Sequence, residues 1–153
     1  MVAKKSLLML SIILLSIISV TGNSQTEKEI LSATLTFHAN SFNSDKGNAV
    51  IFLFRKTGNI PKSPFLIARS SVKNGKAEIS FANLPFGDYA AILLHDENAN
   101  GEIDHSWGIP SEPLGYTNNW TLSLFSGMPS FEKLKFNFSP VKTQQTISIS
   151  FNK

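Results

Sequence analysis

Between Phe65–Val72 and Ala77–Phe81, two runs of strand-forming residues, stands Lys73-Asn74-Gly75-Lys76. This stretch constrains the fold more than any other. An Asn-Gly pair tolerates the positive φ that a two-residue hairpin turn demands, so the flanking runs are expected to pair antiparallel. The same grammar recurs along the chain. Ala33–Ser41 alternates apolar and polar residues with period two, the pattern of a half-buried strand, and His38 falls on its polar side. After a turn cluster at Asn43–Asn48, Ala49–Phe54 is unbroken in its apolar character, which marks a strand buried on both faces. Pro85 and Gly87 form a turn with Leu84 beneath it, and Tyr89–Leu94 follows as another apolar run. Phe131–Phe138 and Thr143–Phe151 supply the last two strands, the latter alternating cleanly as T-I-S-I-S-F. Turns so closely spaced leave no room for long helices. The expectation is an all-β chain forming a single antiparallel β-sandwich of about seven strands. Its core is expected to hold Phe37, Val50, Phe52, Ile79, Phe81, Leu84, Tyr89, Ile92, Leu94, Phe136, Ile147 and Ile149.

The first residues belong to a different kind of segment. Lys4 and Lys5 precede an uncharged apolar and serine run from Leu7 to Val20, and small residues follow at Thr21 and Gly22. This reads as a signal peptide over residues 1–22, with an uncleaved N-terminal anchor as the alternative, since the run is short for a bilayer span. Residues 23–32 are a polar, flexible lead-in, and 33–153 form the β-sandwich domain. A secreted or periplasmic location follows, with no membrane span once the signal is removed. The chain has no cysteine, so disulfides, thiolate metal sites and a lipid-modified N-terminal cysteine are excluded together. The formal charge of +3 falls to +1 without Lys4 and Lys5, which gives no argument for nucleic acid.

The candidate site is His95–Asp104, H-D-E-N-A-N-G-E-I-D, where oxygen side chains crowd around Gly101. Asp96, Asn98, Asn100 and Asp104 stand at the spacing of a D-x-[DN]-x-[DN]-G calcium loop, in which alternate side chains turn inward and glycine allows a sharp bend. Asp96, Asn98, Asn100 and Asp104 would give side-chain oxygens and Glu102 its backbone carbonyl. Glu112 would reach back from the next loop. Where a helical EF-hand ends on a bidentate glutamate this chain has Trp107, and a strand precedes the loop, so an EF-hand proper is not expected. Charge is distributed accordingly: from Ala77 to Glu132 there is no Lys or Arg, while Glu78, Asp88, Asp96, Glu97, Glu102, Asp104, Glu112 and Glu132 all lie there. A cation relieves repulsion among such carboxylates. The competing reading is a polar hairpin whose Asp and Asn side chains cap their own backbone.

Other chemistries fit less well. His95 and His105 could offer imidazoles to zinc, but their spacing matches no regular motif and oxygen donors outnumber nitrogens. Two carboxylates among Asp96, Glu97, Asp104 and Glu112 could form an acid-base pair. No nucleophile elbow, phosphate loop, dinucleotide fingerprint or zinc-protease helix motif occurs, and no catalytic role is expected. Ser106–Ser130 is expected to be a long irregular loop in which Trp107 and Tyr116 plug one end of the sandwich.

Two resemblances add to this reading. The N-L-P-F-G-D-Y run at Asn83–Tyr89 resembles a turn in transthyretin-like and carboxypeptidase-regulatory-like β-sandwich domains. His95–Asp104, G-I-P-S-E-P-L-G-Y-T-N-N at Gly108–Asn119 and G-M-P-S-F-E-K-L-K-F at Gly127–Phe136 together resemble a family of secreted bacterial proteins of unknown function. That resemblance implies a signal peptide and one sandwich domain, and transfers no activity. The functional expectation is therefore an envelope binding or structural module with a calcium loop, its partner an unidentified protein or glycan. The alternatives are a carbohydrate-binding accessory domain using Trp107, Tyr116 or Trp120, and a small hydrolase using the acidic loop.

Overall fold

In a computed structural model, the described residues are 31–123 and 125–150. The expected signal peptide, most of the lead-in and the last three residues lie outside them. The expected strands form: β1 (Ser32–Asn40), β2 (Asn48–Phe54), β3 (Leu66–Ser71), β4 (Ala77–Pro85) and β5 (Gly87–Asp96). Three short strands follow, β6 (His105–Ser106), β7 (Ile109–Pro110) and β8 (Leu114–Tyr116), then β9 (Phe136–Phe138) and β10 (Gln144–Ser150).

The fold is all-β, as expected, but its two faces are parts of one sheet. The strand order is β3-β2-β5-β8-β10-β1-β4, with β9 also on β5. β3 and β4 join through the Asn74-Gly75 turn, whose φ values are +52° and +69°, and a Lys73–Lys76 bridge closes it. The ends of the sheet thus approach each other and the sheet nearly closes into a barrel. Pairing is antiparallel except between β1 and β10, which run parallel from Thr36↔Gln144 to Asn40↔Ser148. A closed antiparallel meander needs each strand to pair with sequence neighbours. Here β10 instead inserts between β1 and β8, and that insertion fixes its direction.

Register explains where the core lies. On β2 and β5 every residue after the first two is buried. Ala49, Ile51 and Leu53 on β2 and Tyr89, Ala91 and Leu93 on β5 face the barrel interior with Phe37, Ile79, Phe81 and Ile147. Their alternates, Val50, Phe52, Phe54, Ala90, Ile92 and Leu94, form a second core on the outer face with Leu114, Tyr116 and Leu134. All twelve residues assigned to the core from sequence are buried.

The long connection from residue 106 to 130 covers that outer core. It is not wholly irregular: it holds the β6–β7 hairpin, β8 and a turn of 3-10 helix at Thr117–Asn119. The expected strand over Phe131–Phe138 is corrected to a helical turn, α1 (Phe131–Leu134), followed by β9. Leu134 is fully buried in the outer core and Phe131 packs beside it, an i, i+3 pair that a helical turn brings to one side. Thr117 clasps the cover to the sheet: its buried hydroxyl accepts the Ala91 N–H at 3.0 Å and donates to the Leu134 carbonyl at 2.6 Å. A Thr117→Val variant keeps the shape and leaves both partners unpaired. It is expected to lose about 2 kcal/mol of stability by chemical denaturation.

Asp45, in the β1–β2 loop, steadies the β3–β4 turn by accepting the Asn74 and Gly75 amides at 2.8 and 2.9 Å. Those two bonds, Gly75's first, hold its carboxyl below its usual value of 3.8. Because the folded pKa is depressed, the contribution is full above the unfolded value and disappears as pH falls through the folded one. Asp45→Ala is expected to melt below the parent at neutral pH, with the gap closing as melts are repeated below pH 3.8.

Candidate functional site

The acidic loop starts from a rigid point. Asp96 is the last residue of β5, paired with Asn48, and is fully buried. Gly47 comes so close that a Cβ there would stand 1.9 Å from the Asp96 carbonyl oxygen, and its φ is +64°. Only glycine fits that crossing. From this anchor the chain turns through Ala99 and Gly101, both at positive φ.

The Asp96 carboxylate organises the turn, with Oδ1 accepting the Asn100 amide at 3.0 Å and Oδ2 the Gly101 amide at 2.9 Å. Asn98 and Asn100 each cap the backbone two residues on, accepting the Asn100 and Glu102 amides at 3.0 and 2.8 Å. Their side-chain NH2 groups converge on Asp104, at 2.6 Å to Oδ2 from Asn98 and 3.0 Å to Oδ1 from Asn100. Glu112 reaches back as expected, but to backbone amides: its oxygens accept from Glu97 at 3.2 Å and Asp104 at 3.3 Å, bracing both ends of the loop. Burial raises the Glu112 pKa, the two amide bonds oppose the rise, and the Asp104 and Asp96 charges add to it. The Glu102 side chain is exposed while its amide is held by Asn100.

Asp96, Asn98, Asn100 and Asp104 are thus brought together with Glu112 behind them, and the capping bonds of the polar-hairpin reading are present. Among the described residues, no three His, Cys, Asp or Glu side chains gather as a metal-holding group. A cation would therefore rely on the Asn98 and Asn100 oxygens and the Glu102 carbonyl as well as the Asp96 and Asp104 carboxylates. An all-oxygen set of this kind fits a hard ion such as calcium rather than zinc. The two amide NH2 groups now supply Asp104 with the positive partial charge that such an ion would provide in full.

The histidines do not assemble a nitrogen site. His95 is fully buried edge-on against Phe42, and its Nε2 donates to the Lys46 carbonyl at 3.0 Å. His105 is exposed on β6. Of the four carboxylates considered for an acid-base pair, Asp96 and Glu112 accept backbone amides, Glu97 accepts the Ser44 hydroxyl at 2.8 Å, and Asp104 accepts the Asn98 and Asn100 side-chain amides.

A family model described as "Uncharacterized protein conserved in bacteria (DUF2141)" matches residues 38–147. The chain belongs to the DUF2141 family. No curated protein and no solved structure matches it. The match spans this DUF2141 chain from β1 into β10, so it takes in the acidic loop, the β6–β7 hairpin and the cover of the outer core.

Sequence reasoning missed two contributors. Arg69, on β3, has guanidinium nitrogens 3.8 and 3.9 Å from where a Cβ on Gly101 would lie, so a cationic side chain from outside the lysine- and arginine-free stretch borders the loop. Trp107, expected to plug one end of the sandwich, is fully exposed. It and Gly108, at φ +54° and +78°, form the tip of the β6–β7 hairpin, which carries the indole outward. Tyr116 does pack, buried in the outer core and edge-on to Trp120 at 4.7 Å.

Asp96→Ala would orphan the Asn100 and Gly101 amides at a buried strand end and is expected to cost about 3 kcal/mol in urea denaturation. Glu97→Ala, at an exposed side chain, should cost under about 1 kcal/mol.

Proposed function

We propose that this chain is a secreted or periplasmic binding and structural module whose Asp96–Asp104 loop takes up calcium. The observation that carries the reading is the convergence of Asn98 and Asn100 on the Asp104 carboxylate beside Asp96, all positioned by one buried strand end. Asp96, Asn98, Asn100 and Asp104 would hold the ion with the Glu102 carbonyl. Glu112 supports the set from behind through the Glu97 and Asp104 amides. Bound calcium would supply a strong electrostatic cross-link, tying the loop and the adjacent β6–β7 hairpin to β5. Lys4, Lys5 and the apolar run Leu7–Val20 support export. The partner is an unidentified protein or glycan of the cell envelope, and no catalytic role is assigned.

A second reading, a carbohydrate-binding accessory domain, is favoured by one observation. Trp107 presents its whole ring to solvent at the tip of a hairpin, as a sugar-stacking aromatic must.

Thermal melts of the protein in chelator, calcium or magnesium test the first reading. A site with Kd near 0.1 mM, at the tight end for extracellular modules, gains about 1.4 kcal/mol at 1 mM calcium. That corresponds to a rise of about 3–6 °C for a domain of this size. Magnesium should give less, since it demands near-ideal octahedral geometry and keeps its waters. Asp96→Ala and Asp104→Asn are expected to lose the calcium response, and Glu97→Ala to keep it. A melting temperature that does not move at millimolar calcium would leave the capping bonds as the full account of the loop.

A further inference from the structure

Beside the acidic loop, on the outer face of the barrel, lies a second feature that the calcium reading does not use. A cavity of about 230 Å³ opens between the β6–β7 hairpin and the segment around Met128. Its floor is Ile92 of β5 with Leu114 and Tyr116 of β8, and its walls include Ile109, Leu122 and Met128. Both walls are built elements. The hairpin is closed by the His105–Pro110 and Ser106–Ile109 pairs. The opposite segment is held by the Lys133 ammonium, which donates to the Ser126 and Met128 carbonyls at 2.6 and 3.0 Å.

We propose that this cavity binds a small uncharged molecule of one or two fused rings that carries a single hydrogen-bonding group. Three observations define that class. The first is size: an apolar cavity of roughly 150 Å³ admits benzene, so this larger one accommodates a second ring. The second is polarity. The floor and most of the walls are aliphatic or aromatic carbon, too few polar groups to replace the water around a sugar. Tyr116 and His105 are the exceptions: His105 sits on the exposed hairpin, whereas Tyr116 belongs to the buried floor and its hydroxyl has no hydrogen-bond partner among the described residues. Burial alone pushes that hydroxyl's pKa up to about 12, so it stays protonated and can donate or accept. The third is charge. The stretch from Ala77 to Glu132, which supplies all but one of the lining residues, has no Lys or Arg, and the nearby Lys133 is spent on carbonyls, so no lysine or arginine meets an anionic ligand and His105, on the exposed hairpin, is the one imidazole in the lining. Exposed Trp107, Ile109 and Met128 on or beside the rim give an apolar approach to the mouth.

Isothermal titration of the full chain with 2-naphthol, in excess chelator so that the outcome is independent of the calcium loop, tests the proposal. Saturable binding is expected, with 2-naphthoate binding at least about tenfold more weakly. Leu122→Trp fills the cavity, and Met128→Trp narrows its mouth from an exposed position that leaves the core intact; each should weaken binding about tenfold or more. Tyr116→Phe should weaken 2-naphthol about fivefold, the worth of one hydrogen bond, and leave naphthalene, which has no hydrogen-bonding group, nearly unchanged. The proposal is overturned if no saturable heat appears at millimolar 2-naphthol. It is equally overturned if binding ignores both filling variants and is lost when Trp107 and Phe125, whose rings are both almost wholly exposed, are each changed to Ser, since that pattern is adsorption to exposed rings.

Discussion

β5 is apolar on both faces, and much of the molecule is arranged to cover it. A strand of this kind cannot lie at a surface, because each exposed Leu or Ile face would forfeit about 2 kcal/mol per side chain. Rolling the sheet toward a barrel buries one face, with Leu93 and Ala91 directed inward against Phe37, Phe81 and Phe136. The other face then needs a lid, and the chain supplies one from β8 through α1, pinned by the Thr117 hydroxyl and filled by Leu134 and Tyr116. The two cores are thus a single solution to one strand. The acidic loop inherits its rigidity from the same source, since Asp96 is where this doubly buried strand ends.

The strands were legible because their signals are local. Alternation in β1 and β10, unbroken apolar runs in β2 and β5, and Asn74-Gly75 each state their structure within a few residues. Closure was not legible: it depends on β10 entering between β8 and β1, a choice among distant edges that no short pattern encodes. The Phe131–Phe138 stretch shows the limit of pattern reading. Phe131, Leu134, Phe136 and Phe138 satisfy a helical turn followed by a strand as well as one strand, and the outer core decides for the former. The long connection likewise looked loose because its partner, the outer face of β2 and β5, lies far away in sequence.

At the loop, spacing correctly drew Asp96, Asn98, Asn100 and Asp104 together, since inward alternation around a glycine is a property of the chain itself. The surroundings were invisible. Arg69 arrives from β3 and Gly47 from the turn before β2, and neither has a sequence cue tying it to the loop. Glu112 was placed in the right neighbourhood, but carboxylates accept backbone amides as readily as they hold ions, and spacing alone does not separate the two. Trp107 was misjudged because large aromatics usually pack, whereas a two-residue hairpin with positive φ at both tip positions carries them outward.

The parallel pairing of β1 with β10 also has a kinetic side. Thr36 meets Gln144, so one edge of β1 finds its partner only across nearly the whole described chain. Contacts so distant in sequence carry a loop-closure entropy that local hairpins escape, and they slow folding accordingly. The β3–β4 hairpin and the β2–β5 ladder can form while residues 144–150 are still absent, but the ring cannot. Until the last strand docks, β1 and β8 each present an open edge to any other strand in reach. The half-life of that incomplete barrel therefore sets the interval in which the chain is most prone to pair with its own kind.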